Sequence, residues 1–409
     1  MSPPILEDPE AATTLPDGLS PKKIRGIIMT GIEPKVDILW MNEADMLKAG
    51  VNDVIACTDC MEEVVKTLDN GDYRMGGETG NSHGCMVQFP KEPEFEGMPK
   101  DGPDRRFMAM PAYIGGPFKM AGVKWYGSNV ENREKGLPRS ILMTVLNDKD
   151  TGAPIAFQSA NLISAYRTAA IPGVGVKRLA RKDAKVLGIV GPGFINSITA
   201  ETFCALRPSI DTIKIKGRGR PAIDRFIEYC KAHCPNVKNY IVCDTLEECT
   251  RDSDIMNFGT STPTGGQETY PFIDSSWIKP GALICAVGAL NTPEDILLDP
   301  KTKLVVDNTR MYDTWAKEYP YPTFEKWFIF GSKFTDMIHD GKMDKSRMED
   351  IGAICNGKIP GRTSDDQIIF YSIGGMPVED VAWGKVLYEK ALKMGIGTKL
   401  NLWDAPYLH

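Results

Sequence analysis

The chain reads as α/β, an antiparallel sheet followed by a doubly wound parallel sheet, on three observations. Short strands joined by a polar turn fill residues 107–158. Beyond residue 186 the strands recur at intervals long enough to hold a helix each, the spacing of a parallel sheet with crossover helices. Between the two regimes an apolar run, Val186-Leu187-Gly188-Ile189-Val190, is followed at once by Gly191-Pro192-Gly193 and a helical stretch from Phe194.

Taken in order, residues 1–25 are rich in Pro, Asp, Glu, Ser and Thr and nearly devoid of apolar periodicity, so a flexible lead-in is expected. Ile38-Leu39-Trp40 is a strand and Asn42 caps a short helix. A longer helix carries Val54, Ile55, Met61, Val64, Val65 and Leu68 and ends near Asn70-Gly71. Residues 75–103, dominated by Gly, Pro, His and charges, read as a long loop or insertion of functional kind. Strands follow at Phe107–Met110, Ala121–Tyr126, Ser140–Leu146 and Pro154–Gln158, the last two joined by the turn Asn147–Gly152. A helix over Ile163–Leu179 leads into the glycine turn. The strands of the second regime are Thr212–Lys216, Tyr240–Cys243, Asp254–Phe258, Leu283–Val287 and Leu304–Asp307, and the chain closes with a strand Ile368–Ser372 and a helix Val378–Met394.

With 409 residues, 42% of them hydrophobic, the chain has ample material for packed cores. Its 48 Lys and Arg against 54 Asp and Glu leave no basic footprint, so neither nucleic acid nor an anionic membrane is an expected partner. No apolar run approaches the roughly 20 residues that span a bilayer. Ten cysteines are scattered without repeating spacing, which fits the reducing cytoplasm. Cys57 and Cys60 fall inside a helical pattern with no second ligand pair, and Cys230 and Cys234 likewise read as core thiols, so no metal is expected.

The glycine turn carries the first functional signal. Gly191 and Gly193 let the backbone turn sharply and approach a pyrophosphate, whose charge meets free N–H groups at a helix start that includes Phe194 and Ile195. Asn196 stands where the dinucleotide fingerprint has its third glycine, and Pro192 is tolerated in a first helical turn because its missing N–H would be free there. At the end of the second strand, Lys216-Gly217-Arg218-Gly219-Arg220 contains no acid for a ribose hydroxyl. Arg218 and Arg220 therefore favour NADP(H) over NAD(H), a basic surface turn being the plainer reading.

Two further residues carry chemistry. Lys124, flanked by apolar neighbours, is either a desolvated acid or base or a solvent-facing strand lysine. Arg167, just before the second regime, is either a fork for a substrate carboxylate or a surface helix arginine. Asp380 reads as a structural acid that complements a helix dipole. The aromatic run Trp315, Tyr319, Tyr321, Phe324, Trp327 and Phe328 reads as core or interface packing.

Ten segments in order resemble the ornithine cyclodeaminase and mu-crystallin family from about Ile38 onward. They include Met110-Pro111-Ala112-Tyr113, Gly122-Val123-Lys124, Lys135-Gly136-Leu137-Pro138-Arg139, Ala165-Tyr166-Arg167-Thr168-Ala169-Ala170, Gly191-Pro192-Gly193, Ala286-Val287-Gly288, Asn356-Gly357-Lys358-Ile359-Pro360-Gly361-Arg362 and Phe370-Tyr371-Ser372-Ile373-Gly374-Gly375-Met376-Pro377. The resemblance implies an α+β substrate-binding and dimerisation domain built from residues 26–168 and 351–409, with a Rossmann domain inserted at 169–350. It implies a homodimer acting on a small amino, imino or keto acid. Lys124 would touch the substrate and assist proton transfer, Arg167 would hold its carboxylate, and Thr168, Val287 and Gly288 would lie at the cofactor.

Two departures refine the expectation. Cyclodeaminases have an aspartate after the segment matching Ala286-Val287-Gly288-Ala289, and this chain has Leu290, which transfers no proton. The loop before Met110 is enlarged and holds no cleanly matching second carboxylate-binding arginine; Arg74, Arg105, Arg106 and His83 are the substitutes. The expected activity is an NAD(P)(H)-dependent oxidoreductase acting on a C–N bond, such as an imine reductase or amino acid dehydrogenase. The alternatives are a lyase that recycles the hydride of bound NAD to convert ornithine to proline, and a silent nucleotide-binding subunit.

Overall fold

The computed structural model describes residues 34–260 and 265–407, so the lead-in expected at residues 1–25 lies outside the described residues. The described residues divide into a main unit, residues 38–400, and a small one of residues 34–37 and 401–407. In the small unit Lys35 pairs with Asp37 and Asp404, and the Trp403 indole N–H donates to the Pro34 carbonyl.

The strands are β1 (Val36–Met41), β2 (Tyr73–Met75), β3 (Cys85–Gln88), β4 (Arg106–Ile114), β5 (Met120–Ser128), β6 (Ser140–Asn147) and β7 (Pro154–Ser159), and within the main unit they form a sheet in the order β1-β7-β6-β5-β4-β2, with β3 on β4. Only β1 pairs in parallel; β4 to β7 form an antiparallel meander. Burial alternates along β4 and β5, and the inner face packs against the helix Pro377–Met394. Residues 75–103 are less loop-like than their composition indicates. Cys85–Gln88 pairs antiparallel with Arg106–Ala109 through the backbone, a pairing that the surrounding Gly, Pro and charge do not report.

The second sheet is parallel throughout. It comprises β8 (Val186–Val190), β9 (Thr212–Lys216), β10 (Asn239–Val242), β11 (Ile255–Phe258), β12 (Leu283–Ala286), β13 (Lys303–Val306), β14 (Met348–Asp350) and β15 (Ile369–Ser372), in the order β10-β9-β8-β11-β12-β15-β13-β14. Its first five strands thus run 3-2-1-4-5, the doubly wound Rossmann-type order, and the chain direction reverses next to β8. Strands β11, β12, β13 and β15 are buried at every residue, as a sheet covered on both faces requires.

One strand and one helix tie the two sheets together. Strand β15 lies between β12 and β13, in register with both. A fully buried four-residue strand satisfies its backbone only between two partners, and the parallel sheet offers them. The division at 168/169 falls inside one continuous helix, Asn161–Leu179, which packs against β6 of the first sheet and against β12 and β15 of the second. That packing is close: a Cβ at Gly175 would stand 2.5 Å from the ring of fully buried Tyr371. Gly175→Ala is therefore expected to lower the denaturant midpoint, overpacking of about 1–3 kcal/mol outweighing roughly 1 kcal/mol of helix propensity. An unchanged midpoint would refute this close contact. No helix among the described residues is long and apolar enough to cross a membrane.

Candidate active site

The glycine turn lies at the C-terminal end of β8. Gly191 has φ +87°, and a Cβ there would stand 2.9 Å from the Gly259 carbonyl oxygen and 3.1 Å from the Thr260 Cα, so glycine is required twice over. Gly193 is the N-cap of the helix Phe194–Leu206; no side chain caps that helix, and the space beside the Gly193 Cα is open. Pro192 stands ahead of the helix rather than in its first turn, and its ring packs against Gly217. Asn196 explains the missing third glycine. Its Nδ2 donates to the Val190 and Gly191 carbonyls, and its Oδ1 accepts from Asn257 of β11, which fastens the turn to the neighbouring strand.

Val287 and Gly288 follow β12, and both donate N–H groups to the Phe258 carbonyl. A Cβ at Gly288 would approach the Thr260 backbone to 3.2 Å, so Gly191, Gly259 and Gly288 line one row at the C-terminal ends of β8, β11 and β12. This is the crevice where open α/β sheets bind nucleotides. Phe194 and Ile195 are exposed beside the open Gly193. The Thr168 hydroxyl donates to the Ser164 carbonyl of its own helix. Of the basic residues at the end of β9 and after it, Lys216 donates to the Asp244 carbonyl and Arg220 pairs with Asp224, whereas Arg218 is exposed and has no partner among the described residues.

A buried charge cluster lies under the helix Pro377–Met394. Lys124 on β5 stands opposite Met110 of β4 and Thr144 of β6, on the sheet's inner face, and is 3% exposed. Its Nζ is 2.9 Å from Asp380 Oδ2, the same oxygen that lies 3.2 Å from Arg167 Nε; Arg167 NH1 is 2.7 Å from Glu379 Oε2. Asp380 is therefore no dipole ornament. Fully buried, it is the counter-ion of both cations, because an unpaired carboxylate at that depth is untenable. The signal was available: the helix is apolar on all sides around Val378, Val381, Ala382 and Trp383, so acids within it need partners.

Burial, assisted by the neighbouring Arg167, pushes the Lys124 ammonium down to about 8 despite Asp380. Burial likewise pushes the Glu379 carboxyl up to about 7, against the pull of Arg167. Polar capacity remains in the cluster. Glu379 Oε1, Asp380 Oδ1 and Thr144 Oγ1 are buried without hydrogen-bond partners among the described residues. The loop that leads into the helix carrying Glu379 and Asp380 is fixed by Asp307, whose carboxylate accepts the N–H groups of Gly374 and Gly375.

The four substitutes for a second arginine separate clearly. Arg74 donates to carbonyls of its own strand region, Arg105 pairs with Glu131, and Arg106 joins Arg139 on Asp104. His83 alone reaches the cluster: its Nδ1 is 2.8 Å from the Gly375 carbonyl, and its ring lies 5.9 Å from Trp315 and 6.3 Å from Trp327. The aromatic run is thus core at Trp315 and Phe324, exposed at Tyr321, and a wall behind His83 at Trp315 and Trp327. Leu290 is fully buried in the core.

The two halves of the site meet through sheet order. Because β15 runs parallel beside β12, its C-terminal end, and with it Gly374 through Asp380, emerges on the same edge as Gly191 and Gly288.

Comparison with known proteins gives a consistent picture. The family described as Ornithine cyclodeaminase/mu-crystallin matches residues 50–395. N-((2S)-2-amino-2-carboxyethyl)-L-glutamate dehydrogenase of Staphylococcus aureus is 28% identical over 370 residues, covering 90% of this chain and 99% of that protein. Alanine dehydrogenase of Archaeoglobus fulgidus is 29% identical, covering 72% and 83%. Among solved structures, Thermococcus litoralis Delta(1)-pyrroline-2-carboxylate reductase in complex with NADH and L-proline has a TM-score of 0.68 at 25% identity, covering 88% of this chain and 99% of that one. An archaeal alanine dehydrogenase dimer with bound NAD shares the fold at a TM-score of 0.69 and 24% identity, covering 90% and 100%.

Proposed function

The chain belongs to the ornithine cyclodeaminase/mu-crystallin family, and from that premise we propose that it is an NAD(P)(H)-dependent oxidoreductase acting on the C–N bond of a small amino, imino or keto acid. The observation that carries this reading is the shared edge: the glycine turn and the loop that leads into Glu379 and Asp380 leave the parallel sheet at the same edge, and those two acids pair with Arg167 and Lys124. The dehydrogenase and reductase relatives support it.

The residues fit a dinucleotide. The open space at Gly193, the uncapped helix start and the glycine row suit a pyrophosphate, with Phe194, Ile195, Val287 and Gly288 along its path and Thr168 beside Arg167. Bound there, the nicotinamide supplies or accepts a hydride at the substrate carbon. Arg167 NH1 is bonded to Glu379 and its Nε lies in an ion pair with Asp380, which leaves NH2 without a protein partner among the described residues and able to donate to an oxygen of the substrate carboxylate. Lys124, oriented by Asp380, gives a proton to the nitrogen as C=N becomes C–N, and takes one back in the oxidative direction. Leu290 leaves no proton-transfer group for ring closure, which separates this reading from a cyclodeaminase. The test is NAD(P)H oxidation with a panel of cyclic imines and of keto acid and amine pairs; tight cofactor binding with no turnover of any of them, or proline formation from ornithine, would overturn it.

We infer the cofactor from Arg218, which is exposed after β9 and has no partner among the described residues: a 2′-phosphate would supply one, which supports NADP(H) as the proposed form. Arg218→Glu is expected to raise the NADPH dissociation constant more than about tenfold, the worth of a charged hydrogen bond, with little change for NADH. Equal effects on both cofactors would remove the assignment.

We assign substrate binding and dimerisation to the first sheet with the helix Pro377–Met394. On the outer face of that sheet Phe107 stacks on Trp125 at 6.0 Å, with Ile141 and Met143 also exposed. A second copy of the chain is the occupant that would cover this apolar patch. Trp125→Glu should convert the dimer to monomer in light scattering, and an unchanged mass would place the dimer contact elsewhere. Ten free thiols fit a reducing cytoplasm.

A further inference from the structure

We propose that Asp307 is a positioning residue for the reaction: through the N–H groups of Gly374 and Gly375 its carboxylate sets where Asp380 stands against Lys124 and where Glu379 stands against Arg167. This rests on the oxidoreductase reading above and names the residue that holds its proton donor in place.

The helix Pro377–Met394 does not anchor its own start. Its N-cap is Met376, and no side chain caps it. The first-turn acids that would ordinarily serve that end are turned onto Arg167 and Lys124 instead. The three residues before the helix are held from the end of β13. Val306 is in register with Ser372 of β15, which brings Asp307 beside Gly374. Asp307 Oδ2 accepts the Gly374 N–H at 2.8 Å and the Gly375 N–H at 3.0 Å, and its Oδ1 accepts the Asn308 N–H at 3.1 Å. The Asn308 amide nitrogen donates to the Tyr73 hydroxyl of β2 at 3.0 Å and lies 3.6 Å from the Met376 sulfur. Asp307 is buried, and an acceptor at that depth is costly to remove because it would leave two N–H groups unsatisfied.

Little slack remains in the loop. A Cβ at Gly374 would run into the Trp315 ring and stand 2.6 Å from Met311; at Gly375, whose φ is +74°, it would stand 2.8 Å from Arg167 NH1. The glycines thus lie between the helix Thr309–Glu318 and Arg167, and a displacement of either moves the start of the next helix. The consequence reaches Lys124. It is faced by Asp380 and Glu379 from that helix, by Arg167 from the helix Asn161–Leu179, by the Tyr126 ring 5.7 Å away on its own strand, and by His83, whose imidazole its charge helps to keep neutral. Asp380 and Glu379 favour its ammonium, whereas burial and Arg167 oppose it. Withdrawal of Asp380 leaves the opposing influences dominant, so less of Lys124 is protonated at neutral pH.

The test reads Lys124 directly. Full-length enzyme isotopically labelled at the lysine Cε is titrated by NMR, and the Lys124 signal is identified by its absence from Lys124→Met. Wild type is expected to titrate near pH 8. Asp307→Leu keeps the branching at Cγ, fills the site and has no acceptor; its Lys124 should titrate about one to three pH units lower, the usual effect of losing an adjacent opposite charge. Asp307→Asn still offers one oxygen to both glycines, so its Lys124 should titrate as in wild type. On a substrate found with the panel above, kcat should fall about 10²-fold in Asp307→Leu, the cost of a small misplacement, and recover most of that loss in Asp307→Asn. If Asp307→Leu does not fold, Asp307→Glu, which pushes the glycines outward by one methylene, should show the same lowered titration. A lower denaturant midpoint in Asp307→Leu with Lys124 titrating as in wild type would make Asp307 merely structural and overturn the proposal. Equal displacement of the Lys124 titration in Asp307→Asn and Asp307→Leu would overturn it too. The expected titrations with no NAD(P)H turnover on any amino, imino or keto acid would instead sink the oxidoreductase reading and leave Asp307 as the residue that holds Asp380 on Lys124.

Discussion

Lys124→Met is expected to fold and to bind the dinucleotide, yet to turn over about 10²- to 10⁴-fold more slowly, the usual worth of a positioned proton donor. Methionine keeps the unbranched bulk on β5 and removes the ammonium, and Asp380 retains Arg167 as its counter-ion, so loss of rate need not mean loss of fold. The pH profile carries the sharper test. In the reductive direction the ammonium is the competent form; with its pKa lowered to about 8, kcat/KM should be level below that pH and fall tenfold per unit above it. In the oxidative direction the free amine is competent, and the rate should rise toward the same pH. A variant with wild-type kcat, or one that keeps the limb near 8, would show that another group moves the proton.

Arg167→Met is expected to show the largest loss of stability, about 3–5 kcal/mol, because it leaves two buried carboxylates against one cation. The sign of its pH dependence is set by Glu379. That carboxyl already lies at about 7 in the folded protein, above its ordinary value, so the native state binds the extra proton, and stability is gained as pH falls through 7 and lost as it rises. Without Arg167 the carboxyl is driven further toward the neutral form. The denaturant midpoint of the variant should therefore recover on acidification from about pH 8 to about pH 6 more than that of the wild type. Arg167→Lys restores charge without the fork, so it should recover part of the stability while KM stays raised. A midpoint deficit independent of pH would argue that Glu379 is not the group that Arg167 neutralises.

The candidate site was legible in unequal parts. Lys124 and Arg167 stood out as a lysine in an apolar strand and an arginine at a junction, and the structure joins them through one carboxylate oxygen. Asp380 was misread because the dipole argument looks only along its own helix, whereas its partners lie 256 residues away on β5 and on the helix Asn161–Leu179. His83 was one of four substitutes that spacing left equal. What separated them was the Gly375 carbonyl, 292 residues distant, which only the closed fold brings within hydrogen-bond reach. Asn196 looked like damage to the fingerprint, yet its amide bridges two strands that sequence treats as unrelated.

What the sequence by itself determined is local. Alternating burial on β4 to β7, the apolar runs of the parallel sheet, and the turn at Gly191 all follow from steric and solvation preferences acting within a few residues. Tertiary structure alone decided that β15 inserts between β12 and β13, that the loop after it shares an edge with the glycine turn, and that Glu379 and Asp380 close on Arg167 and Lys124. The reason is physical. A strand's neighbours and a buried charge's counter-ion are chosen by what remains unsatisfied when distant segments exclude water together, and no local pattern records that.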